Sequence, residues 1–203
     1  MSEDPAPNYA DLPLGRFLEL VASREPAPGG GASSAVAVAL AAALAGMAAR
    51  LSTEQLPEAD GLAARADELR DGAVLLAQGD AAAYGRVLGA YRIARDDEGA
   101  RRREVREALS EAADVPLSIA EIGAEVAGIS ARLAEEGNPN LWGDAVTAVA
   151  LAGAGADAAT TLAEINVSTG GADDGRLSRA AGLRATTAAA QKAVEGAVAR
   201  SRV

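Results

Sequence analysis

The chain carries one Trp, one Phe and three Tyr in 203 residues, so its core has to be filled by Ala, Val, Leu and Ile. Small side chains exclude water only where the elements bearing them approach closely. Alanine is the best helix former and a poor strand former, and β-branched runs of the kind a sheet needs are absent. The expected class is therefore all-α. A hydrophobic fraction of 49% with 24% charged residues is enough for one globular domain of this length.

The composition also excludes chemistry. The net charge of −10 argues against nucleic acid and anionic membrane surfaces as partners, since both need a basic face. A small anionic ligand needs only a local positive field and stays compatible. Cysteine and histidine are both absent, which removes thiol nucleophiles, Ser-His-Asp triads and His-based metal sites. Any catalysis rests on carboxylates, hydroxyls, amides, backbone N–H groups and Arg. The acidic start Met1-Ser2-Glu3-Asp4-Pro5 lacks the basic and apolar regions of a signal peptide, and a cytoplasmic protein is expected. From Pro26 to Ala49 no residue is charged, a length that spans a bilayer. Leucines occur there only at 40 and 44 among Ala, Gly and Ser, so a helix buried in a soluble core is the expectation.

Periodicity and breakers divide the chain into a loose arm over residues 1–10 and one helical domain over 11–203. A short amphipathic helix is expected from Asp11 or Pro13 to Arg24, stopped by Glu25-Pro26-Ala27-Pro28. The second, Gly31–Leu51, is apolar all round and so expected to be buried all round. A third runs from Glu58 to Arg95, interrupted by Gly72, Gly79 and Gly89. The charged cluster Asp96–Arg103 leads into a fourth, Glu98–Glu136, which Pro116 should kink or restart. Gly137-Asn138-Pro139-Asn140 breaks the chain before a fifth helix, Leu141–Ser168. A turn at Gly170–Gly175 precedes the last. Two apolar central helices, the second and fifth, leave more greasy surface than their neighbours cover, which predicts a symmetric dimer.

Four places offer chemistry. Pro28-Gly29-Gly30-Gly31 opens the second helix, where uncovered N–H groups and the helix dipole favour an anion or a carbonyl; the plain alternative is a turn capped by Ser33 or Ser34. Asp144, in Asn138-Pro139-Asn140-Leu141-Trp142-Gly143-Asp144, either complements the dipole of the fifth helix or, beside Ala145, Val146 and Val149, has the raised pKa suited to acid–base work. Asn140 is a candidate cap there. Asp80 and Tyr84 share a helix face four residues apart, as a solvated pair or as part of a site. Asn166 offers an amide to a helix end, a neighbour or a ligand ring.

Set in chain order, these segments resemble the cyclodeaminase/cyclohydrolase family. The likeness runs through Phe17–Ser23, Pro28–Ser33 with the Ala-rich run to Met47, Asp80–Tyr84 with Ala90-Tyr91, Ala113–Leu117, Asn138–Asp144 and Ile165-Asn166-Val167. It implies an all-helical homodimer binding a tetrahydrofolate derivative as substrate, with no cofactor and no metal. The reaction implied is cyclodeamination of the formimino compound or hydrolysis of the methenyl one. By position, Asp144 becomes the acid–base carboxylate. Pro28, Gly29, Gly30, Gly31, Ser33, Asp80, Tyr84, Asn140 and Asn166 become substrate contacts. One segment departs from the pattern: Leu51–Glu58 is acidic where a lysine for the folate's glutamate tail is expected, leaving Arg50 or Arg16 as substitutes. A non-catalytic helical dimer that binds folate or a protein partner is the competing expectation.

Overall fold

The computed structural model describes residues 8–92, 98–171 and 175–201. Among these the chain forms seven α-helices: α1 (Leu14–Val21), α2 (Gly30–Arg50), α3 (Ala59–Tyr91), α4 (Glu98–Ala112), α5 (Asp114–Glu136), α6 (Trp142–Gly170) and α7 (Arg176–Ser201). Single 3-10 turns occur at Tyr9–Asp11 and Pro139–Leu141. No strand occurs among the described residues. The arm up to residue 7, the end expected for the third helix at 93–95, Asp96 and Asp97 of the charged cluster, and residues 172–174 of the turn lie outside the described residues.

Helix ends follow local chemistry. Gly171, in the left-handed region at φ 74°, ends α6 with its N–H donating to the Val167 carbonyl at 2.9 Å, the αL cap that glycine supplies without a Cβ penalty. Pro116 does restart a helix, with the break at Ala113, three residues ahead of it. α4 ends at Ala112 and α5 begins at Asp114, which places Pro116 in the first turn, where its missing N–H has no intrahelical role. The three glycines expected to interrupt the third helix do not; α3 is continuous over 33 residues. An isolated glycine costs only about 0.5–1 kcal/mol in a helix, which tertiary packing overrides. Residues at the end of the expected arm are also tied down: the Tyr9 N–H donates to Gln78 Oε1 at 3.1 Å and its ring meets Phe17 edge-on at 5.8 Å.

Alanine packing sets the helix spacing. Ala32, Ala35, Val38, Ala41 and Ala45 of α2 are fully buried, as are Ala152, Ala156 and Ala159 of α6. The two helices pack directly against each other and against α5. Where they come closest, a Cβ on Gly155 would lie 2.7 Å from Val38 Cγ2 and 3.0 Å from the Ser34 carbonyl. α2 is not buried on every side, however. Leu40 is 54% exposed, and Met47 and Leu51 also reach solvent, because the neighbouring helices cover one side of it only. α2 and the Pro139–Gly170 stretch are long and apolar enough to cross a membrane, and 61% and 50% of their most apolar windows are buried within the protein, as core helices are.

This close packing makes a signed prediction. Gly155→Ala adds a better helix former but drives a methyl into backbone and Val38, so destabilisation of about 1–3 kcal/mol is expected. Gly128→Ala, in α5 with no atom within 4 Å of the new Cβ, should instead stabilise by roughly 0.5–1 kcal/mol. Denaturant melts of the two variants check the opposite signs.

Candidate active site

The first turn of an α-helix leaves four N–H groups without intrahelical partners. The start of α2 has no side-chain cap of its own: Gly29 occupies the N-cap position. Ser33 and Ser34, the expected caps, instead turn their hydroxyls back to the Gly29 and Gly30 carbonyls at 2.9 and 2.8 Å. The cap comes from elsewhere in the chain. Asp80, on α3, accepts the Ala32 N–H on its Oδ2 at 3.1 Å across 48 positions of sequence.

Gly31 makes that approach possible. A Cβ there would fall 1.9 Å from Asp80 Oδ1 and 2.2 Å from its carboxyl carbon, so the carboxylate occupies the space a side chain would need. Burial pushes the Asp80 carboxyl above its ordinary value, and the Ala32 N–H works against that by favouring the anion. Tyr9 reports the same charge: its hydroxyl is raised first by burial and then by the nearby Asp80 carboxylate.

Asp80 faces a cleft of about 370 Å³, within the range of small-molecule sites. One wall is the loop, with Pro26, Ala27, Gly29, Gly30 and Gly31. α3 contributes Asp80, Ala83, Tyr84 and Val87, α4 contributes Leu109 and Ala112, and α6 contributes Leu162, Ile165 and Asn166. The Asn166 amide donates from Nδ2 to the Ala112 carbonyl at 3.0 Å, closing the end of α4. That bond fixes which way the amide points, leaving Oδ1 as an acceptor. Among the described residues no arginine or lysine lines the cleft, and no cation pairs with Asp80. The site is a greasy pocket with one half-buried, unpaired carboxylate, a phenol, an amide oxygen and the positive end of a helix. It suits a flat ligand carrying positive charge.

Of the expected site residues, the structure brings Gly29, Gly30, Gly31, Asp80, Tyr84 and Asn166 together here. Pro28 and Ser33 do not line the cleft. Pro28 is buried behind the loop and lines a second hollow with Tyr9 and Gln78, and the Ser33 hydroxyl is spent on its own helix. Asp144 and Asn140 are also elsewhere. Asp144 sits in the first turn of α6, 22 residues before Asn166. At 1.5 Å per residue that is about 33 Å along the helix, so within one chain Asp144 reaches none of the cleft groups. Asn140 is exposed and does not cap α6; Asn138 does the local bonding, accepting the Asn140 N–H at 3.0 Å and donating to the Leu51 carbonyl at 2.9 Å. Sequence reasoning missed Val87, Leu109, Ala112 and Leu162, apolar wall residues with no signal beyond helix periodicity. It weighed Ile165 only as a neighbour of Asn166.

The two arginines expected as substitutes for a missing lysine are remote as well. Arg50, at the far end of α2 from Gly30, pairs with Asp67. Arg16 pairs with Glu19 at 2.9 Å on the exposed side of α1. The acidic Leu51–Glu58 segment shares the Arg50 end, about 30 Å from the glycine loop, and has no contact with the cleft within the chain.

Known proteins resemble this chain over most of its length. The sequence profile of the formiminotransferase-cyclodeaminase family matches residues 13–179. A methenyltetrahydrofolate cyclohydrolase of Methylorubrum extorquens is 34% identical over 167 residues, covering 78% of this chain and 79% of that one. The crystal structure of formiminotetrahydrofolate cyclodeaminase from Thermotoga maritima superposes with a TM-score of 0.78 at 29% identity, over 93% of this chain and 98% of the other.

Proposed function

The chain belongs to the formiminotransferase-cyclodeaminase family, and we propose that it acts on the one-carbon unit of a tetrahydrofolate with Asp80, rather than Asp144, as its acid–base group. The observation that carries this reading is the unpaired carboxylate in the cleft. The methenyl carbon of the substrate sits in a cationic amidinium, and a half-buried carboxylate without a protein counter-charge attracts and positions such a cation. The planar ring system fits between the apolar faces of α3, α4 and α6, with Tyr84 at the rim and Asn166 Oδ1 as an acceptor for ring N–H groups.

Asp80 can serve either reaction of its relatives. In hydrolysis, water adds to the methenyl carbon while Asp80 takes its proton; Asp80 returns that proton to N5 as the bond to N5 breaks, and the remaining hydroxyl proton passes to solvent, leaving the formyl group on N10. In cyclodeamination, N10 adds to the formimino carbon as Asp80 takes the N10 proton, and Asp80 then gives that proton to the departing ammonia. The raised pKa suits both steps, because it brings the neutral and ionised forms closer to balance. The amidinium is already electrophilic, so neither step calls on a thiol or an imidazole.

A second copy of the chain covers the exposed α2 stripe of Leu40, Met47 and Leu51, which is apolar and lies on one side of the helix. One preparation tests the whole reading. Purified protein should discharge methenyltetrahydrofolate absorbance or release ammonia from formiminotetrahydrofolate, and should sediment with the mass of two chains. Inactivity on both substrates would overturn the enzymatic assignment, and a single-chain mass would overturn the dimer.

A further inference from the structure

The glycine loop has a rear face as well as a front one. Pro26 and Ala27 line the cleft on one side and, with Pro28, a second hollow of about 380 Å³ on the other. Only the thickness of the loop separates the two hollows there. Tyr9 stands where the rear hollow meets the core. One side of it lines that hollow with Leu20, Gln78, Ala81 and Ala82. The other packs on the buried cluster that holds Ala32 and Ala77. Ala32 supplies the N–H that bonds Asp80, and Ala77 lies one turn before Asp80 on the same face of α3.

The turn that carries Tyr9 is tied to α3 next to Asp80. Asn8 caps it, accepting the Ala10 N–H at 3.3 Å and donating to Asp11 Oδ2 at 2.8 Å. The Tyr9 N–H donates at 3.1 Å to Oε1 of Gln78, two positions before Asp80, and its ring meets Phe17 edge-on at 5.8 Å. Among the described residues the Tyr9 hydroxyl has no hydrogen-bond partner, so ring packing and the backbone set its place. The hydroxyl nevertheless senses the Asp80 carboxylate through space. The family profile begins at residue 13, so the turn lies ahead of the part of the chain that the family defines.

We propose that Tyr9 is a positioning residue for Asp80, its ring backing the glycine loop so that the carboxylate stays turned onto the Ala32 N–H and open only to the cleft. This rests on the reading of Asp80 as the acid–base group. The physical reason is water. With the ring gone, the rear hollow would extend to Ala32 and Ala77, and solvent would reach Asp80 from behind. The burial that raises the Asp80 carboxyl would then fall, and the anion would gain partners other than one N–H. Few neighbours can mask that effect. The titratable ones are Tyr84 on α3 and Tyr9 and Glu25 at the rear hollow, and Asp11 is exposed and bonded to Asn8. α2 offers its N-terminal dipole, α4 and α6 offer apolar side chains and the Asn166 amide, and α5 contributes nothing to the cleft lining.

Carboxyl-carbon NMR titration of the full chain tests this without turnover, with the Asp80 signal assigned by its loss in Asp80→Asn. Tyr9→Ala should move the Asp80 titration down towards the ordinary carboxylate range. The rise of kcat/KM for hydrolysis should move with it, and kcat should fall about ten-fold. Tyr9→Phe keeps the ring and should restore the wild-type titration. In an Asp80→Asn background Tyr9→Ala should cost no further activity, because its effect passes through the carboxylate. Where circular dichroism shows that Tyr9→Ala does not fold, Gln78→Leu replaces it. That change releases the Tyr9 N–H without opening the core, and should move the titration in the same direction. An unmoved Asp80 titration, a Phe variant that titrates like the Ala one, or equal losses of activity in both backgrounds overturns the proposal. If the titration moves as expected but neither folate substrate turns over, the positioning role stands and the proposed reaction is what fails.

Discussion

Asp80→Asn is expected to lower kcat by roughly 10²–10⁴-fold, the range that a positioned acid–base group contributes, while leaving the protein at least as stable at neutral pH. The amide is nearly the same size, and its oxygen can still accept the Ala32 N–H, so the start of α2 keeps its cap. What is lost is proton transfer and the charge facing the amidinium. Stability moves the other way because burial raises the Asp80 carboxyl in the native state. Between the ordinary carboxylate value and that raised one, the unfolded chain is ionised while the native protein still holds its proton. Folding therefore takes up a proton in this window, and native stability falls as pH rises through it. Below the unfolded value no such loss exists. The asparagine variant lacks this term, so its stability should depend less on pH over the same interval. For hydrolysis, which needs the anion as base, the wild-type rise of kcat/KM with pH should lie above the usual carboxylate range. Thermal melts and rate profiles on both proteins check this. A variant that keeps wild-type turnover would remove Asp80 from the chemistry.

Much of this fold was legible in the chain, because helix and breaker signals are local. The uncharged, alanine-rich run gives α2 within one residue of its ends, and Pro116 marks a restart that the backbone makes nearby. The glycines of α3 misled, since a local cost of about 0.5–1 kcal/mol is small beside the burial of Ala66, Leu69, Ala73 and Ala77 along the same helix. The site was half legible for a related reason. Asp144 drew attention because its sequence neighbours are apolar, yet neighbours along a helix say nothing of which end faces a cleft. α6 has 29 residues, about 43 Å of helix, and its two polar signals sit at opposite ends. Helix spacing alone left Asp80 open between a solvated partner of Tyr84 and a site residue, because its burial comes from outside α3. The backbone of Gly31 lies against it and the N-terminus of α2 points at it, contacts across 48 residues that no periodicity records. The glycine run and Asp80, which the sequence joins only through the family resemblance, are one device.

That device predicts a sharp contrast between adjacent glycines. Gly31→Ala should reduce kcat/KM by at least about 10²-fold and lower the melting temperature, although alanine is the better helix residue by up to about 1 kcal/mol. The reason is space rather than backbone angle. The new Cβ would lie 1.9 Å from Asp80 Oδ1, so the carboxylate has to rotate away, giving up the Ala32 N–H and its place in the cleft. Gly30→Ala differs by one position and meets only Leu162 Cδ1 at 3.5 Å, an ordinary contact. It should retain activity within a few-fold and melt no lower than wild type. Coupling isolates the cause. In an Asp80→Ala background the clash has no partner, so adding Gly31→Ala should cost little or even stabilise, and the double-mutant cycle should show strong non-additivity in stability. Equal effects at Gly30 and Gly31, or additive costs in the cycle, would mean that Gly31 is kept for some reason other than the carboxylate beside it.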